Sequence, residues 1–147
     1  MQIKSNPDFV VIAGPNGAGK PTVSKRLLEP LGVIAFDWDQ RFQEKWSLYE
    51  FDPVIMEGIS ASVDTDFYDH IENAFSDQQS VAYETNFHSD FNLELAKKAH
   101  DLGYNTSLYF LALSQPEIGI QRVAERVSQG GHDVSEDTIR ERFWKGY

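Results

Sequence analysis

Residues 9–22 read FVVIAGPNGAGKPT, and this stretch decides the fold. Its apolar start predicts a strand that ends at Gly14, and the residues from Lys20 onward predict a helix. Glycines let backbone N–H groups turn toward one point, and the start of a helix adds the positive end of its dipole there. A strand, a glycine-rich loop, a lysine and a helix in this order are typical of a phosphate-binding loop. The predicted nucleotide-binding residues are Gly14, Pro15, Asn16, Gly17, Ala18, Gly19, Lys20, Pro21 and Thr22.

One position departs from the phosphate-loop pattern. Gly14, Gly19 and Lys20 meet the pattern G-x-x-x-x-G-K, but Pro21 stands where Ser or Thr is expected. The hydroxyl that would bind Mg²⁺ is therefore missing there, and so is a backbone N–H. Thr22 keeps a hydroxyl one position later. Proline is favoured in the first turn of a helix, although it biases the preceding Lys20 away from helical dihedrals, so we expect Pro21 to impair the chemistry more than the fold.

The composition is that of a small acidic domain. The 147 residues suit one domain, 41% are hydrophobic, and the absence of cysteine excludes disulfides and thiolate metal sites. The polar N-terminus is not a signal peptide and no run is long enough to span a membrane, so we expect a cytoplasmic protein. The net charge of −10 is uneven, because Arg41 and Lys45 are the only basic residues from 37 to 94. We interpret this segment as a solvated face, with a docking surface for a basic partner as the alternative.

The order of the predicted elements indicates a parallel sheet flanked by helices. The fourth strand is an unbroken apolar run, which predicts burial on both of its faces. Residues 53–62 are ambiguous, and Ser135 is expected to cap the last helix. The predicted strands are 9–13, 33–36, 80–84 and 107–113. The predicted helices are 20–28, 41–51, 64–75, 92–102, 117–127 and 135–144, with residues 129–134 as a flexible loop.

Acidic and polar residues follow the second and third predicted strands. In an open parallel sheet the ligand lies beyond the carboxyl ends of the strands, which is also where the phosphate-binding loop lies. Asp37 and Asp39 follow strand two, and Glu84 ends strand three ahead of Thr85 and Asn86. A carboxylate there can hold Mg²⁺ through water or accept a proton from a substrate hydroxyl. For Asp39 the alternative is a cap of the following helix.

Two arginines near the C-terminus share one predicted helix face. Arg122 and Arg126 are four residues apart, ahead of two consecutive glycines. This arrangement predicts a lid that clamps phosphates when it closes, and a surface helix paired with glutamates is the alternative. Arg140 and Arg142 are only two residues apart, so we do not expect them on one face. His132 is interpreted as a loop or surface histidine rather than a catalytic base.

The segments GPNGAGK, ETN and RVAERVSQGGHDVSEDTIRERF together resemble the zeta-toxin-like P-loop kinases, in particular their small branch of predicted ATPases and kinases. The resemblance runs from about residue 9 to the C-terminus. It implies an α/β P-loop NTPase fold, a three-layer sandwich with a mostly parallel sheet of about four or five strands and a helical lid near the C-terminus. Members tend to continue into a further strand, whereas this chain stops at Tyr147, so a single domain over residues 1–147 with four parallel strands is implied.

The resemblance also implies roles for individual residues. Known zeta toxins move the γ-phosphate of ATP to a sugar hydroxyl of UDP-N-acetylglucosamine. In those terms Lys20 would hold the β- and γ-phosphates, and Asp39 would activate the hydroxyl. Arg126, with Arg122, would stabilise the transferring phosphate. The implied substrate-binding residues are Glu84, Thr85 and Asn86.

The sequence leaves two functions open. The first is a kinase that uses ATP or GTP with Mg²⁺ and acts on a small hydroxyl compound. The second is a nucleotide-binding protein whose kinase activity is impaired or absent because of Pro21, serving as a degenerate toxin or as the partner of an antitoxin. The expected partners are a nucleotide, a small-molecule acceptor and an antitoxin protein. The acidic chain lacks the basic stripe of a nucleic-acid-binding protein, so neither nucleic acid nor membrane is expected, and no residue is assigned as a metal ligand.

Overall fold

A computed structural model of the chain describes residues 5–131 and 133–146. In it, four parallel strands form one sheet. The strands are β1 (Asp8–Ala13), β2 (Phe36–Asp37), β3 (Val81–Thr85) and β4 (Asn105–Phe110). Their order across the sheet is β2-β3-β1-β4, so β1, which leads into the glycine-rich loop, is central. The predicted α/β class and parallel sheet are confirmed.

Helices connect the strands and cover the sheet. Asp37 caps the second helix by accepting a hydrogen bond from the backbone N–H of Gln40, which starts that helix three residues before its predicted beginning. The ambiguous residues 53–62 form a short 3₁₀ turn and the start of one long helix. Ser135 caps the last helix as predicted, through the N–H of Thr138. The helices are α1 (Lys20–Leu28), α2 (Trp38–Ser47), α3 (Met56–Asp77), α4 (Phe91–Asp101), α5 (Pro116–Ser128) and α6 (Glu136–Gly146).

The second strand is shorter than predicted and lies later in the chain. Only Phe36 and Asp37 pair with β3, where the prediction covered residues 33–36. The backbone N–H of Val33 still donates to the carbonyl of Leu28, at 3.4 Å, and so completes the end of α1 instead of joining the sheet. The apolar run at this position therefore combines a helix terminus with a very short strand.

The prediction that the fourth strand is buried on both faces is wrong. β4 lies at the edge of the sheet, and all six of its residues are exposed. Half of the Leu108 surface remains accessible. An unbroken apolar run indicates a strand but does not show whether helices cover it. In the described part of the chain, the two buried apolar clusters draw on the other three strands and contain no residue of β4.

The core has two parts, one on each face of the sheet. Successive side chains of a strand point to opposite faces, so Phe9 and Val11 of β1 enter one part while Val10 and Ile12 enter the other. The larger part also contains apolar residues of α2, α3 and α4, and the smaller part contains Leu28 of α1. Burial of β1 on both faces fixes the start of the glycine-rich loop against a rigid support.

Candidate functional site

The phosphate loop, residues 14–20, leaves the end of β1 and turns directly into α1. The backbone N–H of Gly14 donates to the carbonyl of Thr85, which ties the loop to the end of β3 at 3.1 Å. Gly17 has a φ of 79°, and a Cβ at this position would come within 2.8 Å of the backbone of Gly119. Only glycine fits both restrictions. The first N–H groups of α1 have no partner within the helix, so they are available to an anion held by this loop.

Helix α5 packs against the phosphate loop. A Cβ at Gly119 would lie 2.4 Å from the backbone oxygen of Asn16, so the two backbones approach closely. Three residues further on, the Arg122 guanidinium donates to the carbonyl of Gly17 at 2.9 Å. Helix α5 therefore places one of the two predicted lid arginines at the loop.

The second predicted lid arginine lies one helical turn beyond the first. Arg126 is exposed, and its aliphatic stem packs beside Gly131. The contact with the phosphate loop that the structure shows for this pair is the hydrogen bond from Arg122 to Gly17. His132, interpreted above as a loop histidine, lies outside the described residues.

The Lys20 ammonium turns back onto its own loop. Its Nζ donates to the carbonyls of Gly14 and Pro15, at 2.7 and 3.1 Å, and to Oδ1 of Asn86 at 3.2 Å. Burial lowers the pKa of Lys20, while the neighbouring carboxylates, Glu84 first among them, oppose this effect. A phosphate that entered the loop would offer this ammonium charged oxygen acceptors in place of neutral ones.

Pro21 fits the first turn of α1 without interrupting it. Lys20 is the first helical residue, so the bias of proline against a helical preceding residue is not seen here. Pro21 and Thr22 are both exposed, whereas Ser24, one turn further, is buried. The Ser24 hydroxyl donates to Glu84 at 2.6 Å. A serine hydroxyl therefore lies one helical turn after the position where the phosphate-loop pattern expects a hydroxyl. It donates a hydrogen bond to the carboxyl group of Glu84.

A cavity of about 440 Å³ opens at the carboxyl ends of β2 and β3. It brings Lys20 together with Asp39 and all three predicted substrate residues, Glu84, Thr85 and Asn86. The strand-end rule predicted that these residues lie near the phosphate loop, and the structure places them beside Lys20. Aromatic side chains form much of the remaining wall. These are Trp38, Phe67, Tyr68, Tyr83 and Phe91.

Asp39 lies in the first turn of α2 and faces this cavity. It does not cap the helix, because that role belongs to Asp37, so the alternative interpretation of Asp39 is wrong. Arg142 of α6 forms an ion pair with Asp39, at 3.4 Å, and lines the same cavity. Arg140 instead pairs with Glu117 of α5, so the two arginines of α6 diverge as expected.

The Glu84 carboxyl group is partly buried at the end of β3. Burial raises its pKa to about 7, with a smaller contribution from the neighbouring Asp37 carboxylate, while the hydrogen bond from Ser24 and the charge of Lys20 act in the opposite direction. Asp37 and Glu84 are direct partners in the register of β2 and β3, which explains why their carboxyl groups are close. Glu84 can therefore hold or release a proton near neutral pH.

Replacing Glu84 with Gln is expected to remove a pH-dependent cost to folding. The pKa of this group is about 7 in the folded chain against an ordinary value of 4.5, so between these values the folded state keeps a proton that the unfolded state releases. The unfolding free energy of the wild type should fall relative to Glu84→Gln as pH rises from 4.5 to 7. After allowance for partial exposure, we expect a relative fall of about 1–2 kcal/mol.

Chemical denaturation of both proteins at pH 5 and pH 8 measures this difference. Glu94→Gln, which changes an exposed carboxylate on α4, is the matched control and should follow the wild type at both pH values. Equal pH dependence of the wild type and Glu84→Gln would contradict the raised pKa.

The residues around the cavity fit Mg²⁺ by ligand type. Mg²⁺ is usually held by one or two carboxylates, by waters and by substrate phosphates. The carboxylates of Asp37, Asp39 and Glu84 line the cavity beside Lys20. Among residues 5–131 and 133–146, however, no group of three or more acidic or histidine side chains is arranged to hold an ion. The donor set therefore suits a metal that arrives with nucleotide phosphates better than one held by protein ligands alone.

The sequence analysis did not predict that Arg142 and the aromatic side chains line the cavity. Trp38 could have been predicted, because it lies between Asp37 and Asp39, and the strand-end rule applies to all three residues. Phe67 and Phe91 come from α3 and α4, and no local pattern separates a cavity-lining aromatic residue from a core residue. Arg142 meets Asp39 only through the packing of α6.

In the portion of the chain that the structure describes, no helix combines the length and apolarity needed to cross a membrane.

None of the curated proteins compared with the sequence matches it. Three solved structures share the fold at low identity. A proposed kinase from Chloroflexus aurantiacus J-10-fl is 18% identical with a TM-score of 0.73, and the match covers 95% of this chain and 78% of that one.

The other two structures are longer chains. One belongs to the PezAT chromosomal toxin–antitoxin system of Streptococcus pneumoniae, with 18% identity, a TM-score of 0.69 and coverage of 97% of this chain and 62% of that one. The other belongs to the Pnkp1/Rnl/Hen1 RNA repair complex, with 16% identity, a TM-score of 0.67 and coverage of 98% of this chain and 45% of that one. The chain thus spans less than two thirds of these two relatives.

The sequence itself matches the family described as Zeta toxin over residues 1–146. This match extends across the phosphate loop, the cavity and both C-terminal helices. The resemblance noted in the motifs is thereby confirmed. The chain belongs to the zeta toxin family, and this membership supports a P-loop phosphotransferase.

Proposed function

We propose that the protein is an ATP-binding phosphotransferase that moves the γ-phosphate to a hydroxyl of a small molecule, with UDP-N-acetylglucosamine as the first acceptor to test. The observation that carries the proposal is the cavity at the strand ends, which both Lys20 of the phosphate loop and Asp39 of α2 line. A phosphate-binding lysine and a carboxylate beside one space are what transfer to a hydroxyl requires. The proposal treats residues 1–147 as one catalytic domain.

At the nucleotide end, Lys20 would exchange its loop carbonyls for the β- and γ-phosphates of ATP. The backbone N–H groups of Asn16, Gly17 and Gly19 and those at the start of α1 would bind the remaining phosphate oxygens. Arg122 already lies at the loop through Gly17, so a small side-chain movement could bring its guanidinium to a phosphate. Arg126 would approach the transferring phosphate as α5 and the loop after it close like a lid.

At the acceptor end, Asp39 would accept the proton of the attacking hydroxyl. The hydroxyl oxygen bonds to the γ-phosphorus as the bond from that phosphorus to the bridging oxygen breaks, and ADP leaves with the bridging oxygen. Arg142 keeps a cation beside Asp39, where negative charge develops on the phosphoryl oxygens. Glu84, Thr85 and Asn86 supply hydrogen-bonding groups, and the aromatic wall offers flat surfaces for a base or a sugar.

Mg²⁺, where it is bound with the nucleotide, would supply positive charge against the phosphates. The cavity carboxylates of Asp37 and Glu84 are the residues of this chain that would hold it, since Pro21 has no hydroxyl to offer. GTP remains an alternative donor to ATP in this proposal. A cytoplasmic location is also part of it, supported by a chain without cysteine, which needs no oxidising compartment.

An antitoxin protein is the proposed macromolecular partner. The support is the family match together with the neighbour from the PezAT system, which is itself described as a toxin–antitoxin system. An antitoxin that covered the cavity or the phosphate loop would block transfer by excluding nucleotide or acceptor.

The second candidate function is nucleotide binding with little or no transfer. The exposed Pro21 favours it, because this position carries neither a hydroxyl nor an N–H. The two candidates share the phosphate loop and differ only in turnover, so one substitution at this position distinguishes them.

Replacing Pro21 with Ser is expected to raise Mg²⁺-dependent transfer by about tenfold or more, equal to about 1.4 kcal/mol in the barrier. The new hydroxyl would add a metal ligand where phosphate loops normally have one. The measurement is the rate of γ-phosphate transfer from ATP to UDP-N-acetylglucosamine by the wild type and by Pro21→Ser. Pro30→Ser, an exposed proline just after α1, is the matched control and should leave the rate unchanged.

If Pro21→Ser gains nothing over an active wild type, position 21 does not limit the reaction. If neither protein transfers phosphate but both bind ATP, the nucleotide-binding function replaces the kinase.

A further inference from the structure

A second surface feature lies away from the cavity, between the end of α2 and the start of α3. Five large apolar side chains are exposed within residues 48–56, with Leu48 79% and Val54 87% accessible. Single exposed apolar residues are ordinary, but several within one short segment favour an interaction site. We call this group the 48–56 surface. Its members are Leu48, Tyr49, Phe51, Val54 and Met56.

The 48–56 surface borders a cavity of its own. This cavity has a volume of about 440 Å³ and shares no lining residue with the cavity at the strand ends. Its lining includes Leu48 and Tyr49, which follow α2, and Ile55 and Ile59, which lie at the start of α3. An apolar side chain from a partner could therefore enter between α2 and α3 without reaching the phosphate loop.

The backbone holds this surface in a fixed arrangement. Glu50 and Phe51 have φ values of 53° and 59°, a left-handed conformation that is unfavourable for residues other than glycine. Trp46 supports the turn, since its indole N–H donates to the carbonyl of Asp52 at 2.8 Å and its ring packs edge-on against Phe51. Strain of this kind persists only where surrounding contacts fix it, and it is common in segments that bind ligands.

The rim of the 48–56 surface is acidic. Glu44, Glu50, Asp52 and Glu57 are all exposed in the same segment of the chain. Lys45 lines the cavity, but it forms an ion pair with Asp66 at 2.8 Å, so it does not offset the rim. The negative charge lowers the affinity of this surface for nucleic acids, anionic membranes and other acidic proteins.

We propose that the 48–56 surface binds a basic amphipathic helix of a partner protein. The apolar face of that helix would fill the cavity between α2 and α3, and its lysines or arginines would meet the acidic rim, which is the usual way in which a helix binds a groove. This interaction goes beyond the proposed transfer reaction and does not depend on it. A second copy of the chain would bring one acidic rim toward another and is therefore disfavoured.

The test is an NMR titration of the ¹⁵N-labelled protein with a 14-residue model peptide, LKKLLKLLKKLLKL. We expect a dissociation constant in the micromolar range and amide shifts concentrated in residues 45–62. Val54→Asp should weaken binding at least tenfold, and Leu48→Asp should do the same. Both side chains are mostly exposed, so these variants should fold. Leu93→Asp, at an exposed leucine of α4, is the matched control and should bind like the wild type.

A second peptide with glutamate in place of every lysine should not bind. Shifts scattered over the whole acidic surface, or binding unaffected by both aspartate variants, would overturn the proposal. So would concentration-dependent dimerisation abolished by Val54→Asp, because a second copy would then occupy the surface. Sedimentation of the protein with phosphatidylserine vesicles, lost in Val54→Asp, would assign the surface to a membrane instead.

Discussion

Lys20→Ala is expected to weaken ATP binding by about 10- to 100-fold, the loss that follows from removing charged hydrogen bonds of about 1.5–3 kcal/mol. The ammonium is the full positive charge of the phosphate loop, and it is already held within 3.2 Å of three loop and strand-end oxygens. Its removal should also lower any transfer rate by about 10²–10³-fold, because the charge that develops on the phosphoryl group would lose a fixed partner. Calorimetric titration with ATP measures the first effect directly.

Lys25→Ala provides the matched control for this experiment. Lys25 is exposed on the same helix, in its last turn, and should leave ATP affinity within about twofold of the wild type. If both variants bind ATP as the wild type does, the nucleotide does not use the phosphate loop and the location proposed for the site is wrong. If both lose affinity, the effect is one of net charge rather than of position 20.

Asp39→Asn is expected to lower phosphate transfer by about 10²–10⁴-fold, the usual contribution of a general base. The amide keeps the shape of the side chain but cannot take the proton of the acceptor hydroxyl. ATP affinity should change little, since the contacts that place Lys20 in the loop do not involve Asp39. The measurement is the transfer rate at saturating ATP and acceptor, with calorimetry to confirm nucleotide binding.

Glu44→Gln, an exposed carboxylate on the same helix, is the control for Asp39 and should retain full activity. Asp39 is also half of an ion pair, so Arg142→Gln distinguishes the two roles of that pair. Loss of activity in Arg142→Gln but not in Asp39→Asn would make the arginine, rather than the carboxylate, the group on which transfer depends. Full activity in both variants would show that neither Asp39 nor Arg142 is needed for phosphate transfer.

The strand, loop and helix proposed to bind the nucleotide could be predicted because they are local in the sequence. Strand, loop, lysine and helix follow one another within residues 9–28, and the structure keeps that order. The strand-end rule extended the prediction to Asp39 and Glu84, since parallel strands end at one edge of the sheet. To predict where these residues lie, it was enough to identify the strands. Errors of one to three residues in the predicted strand bounds did not change this prediction.

The features that were predicted wrongly, or not predicted, depend on how distant segments of the chain pack together. The apolar sequence of β4 indicated a strand correctly, but its exposure follows from its place at the sheet edge. Arg142 reaches Asp39 only because α6 folds back over the cavity, although the two residues are more than a hundred positions apart. The hydrogen bond from Ser24 to Glu84 is of the same kind, since the sequence of a helix does not indicate which distant residue its serine will contact.

The most direct test of the central claim is ³¹P NMR of the wild type and Pro21→Ser with ATP, Mg²⁺ and UDP-N-acetylglucosamine. The proposed function predicts that the γ-phosphate signal of ATP disappears as ADP and a new phosphomonoester signal appear in equal amounts. Inorganic phosphate as the only new product would show hydrolysis instead of transfer. An unchanged spectrum for both proteins, under conditions where calorimetry shows bound ATP, would contradict the claim that this cavity transfers phosphate to that acceptor.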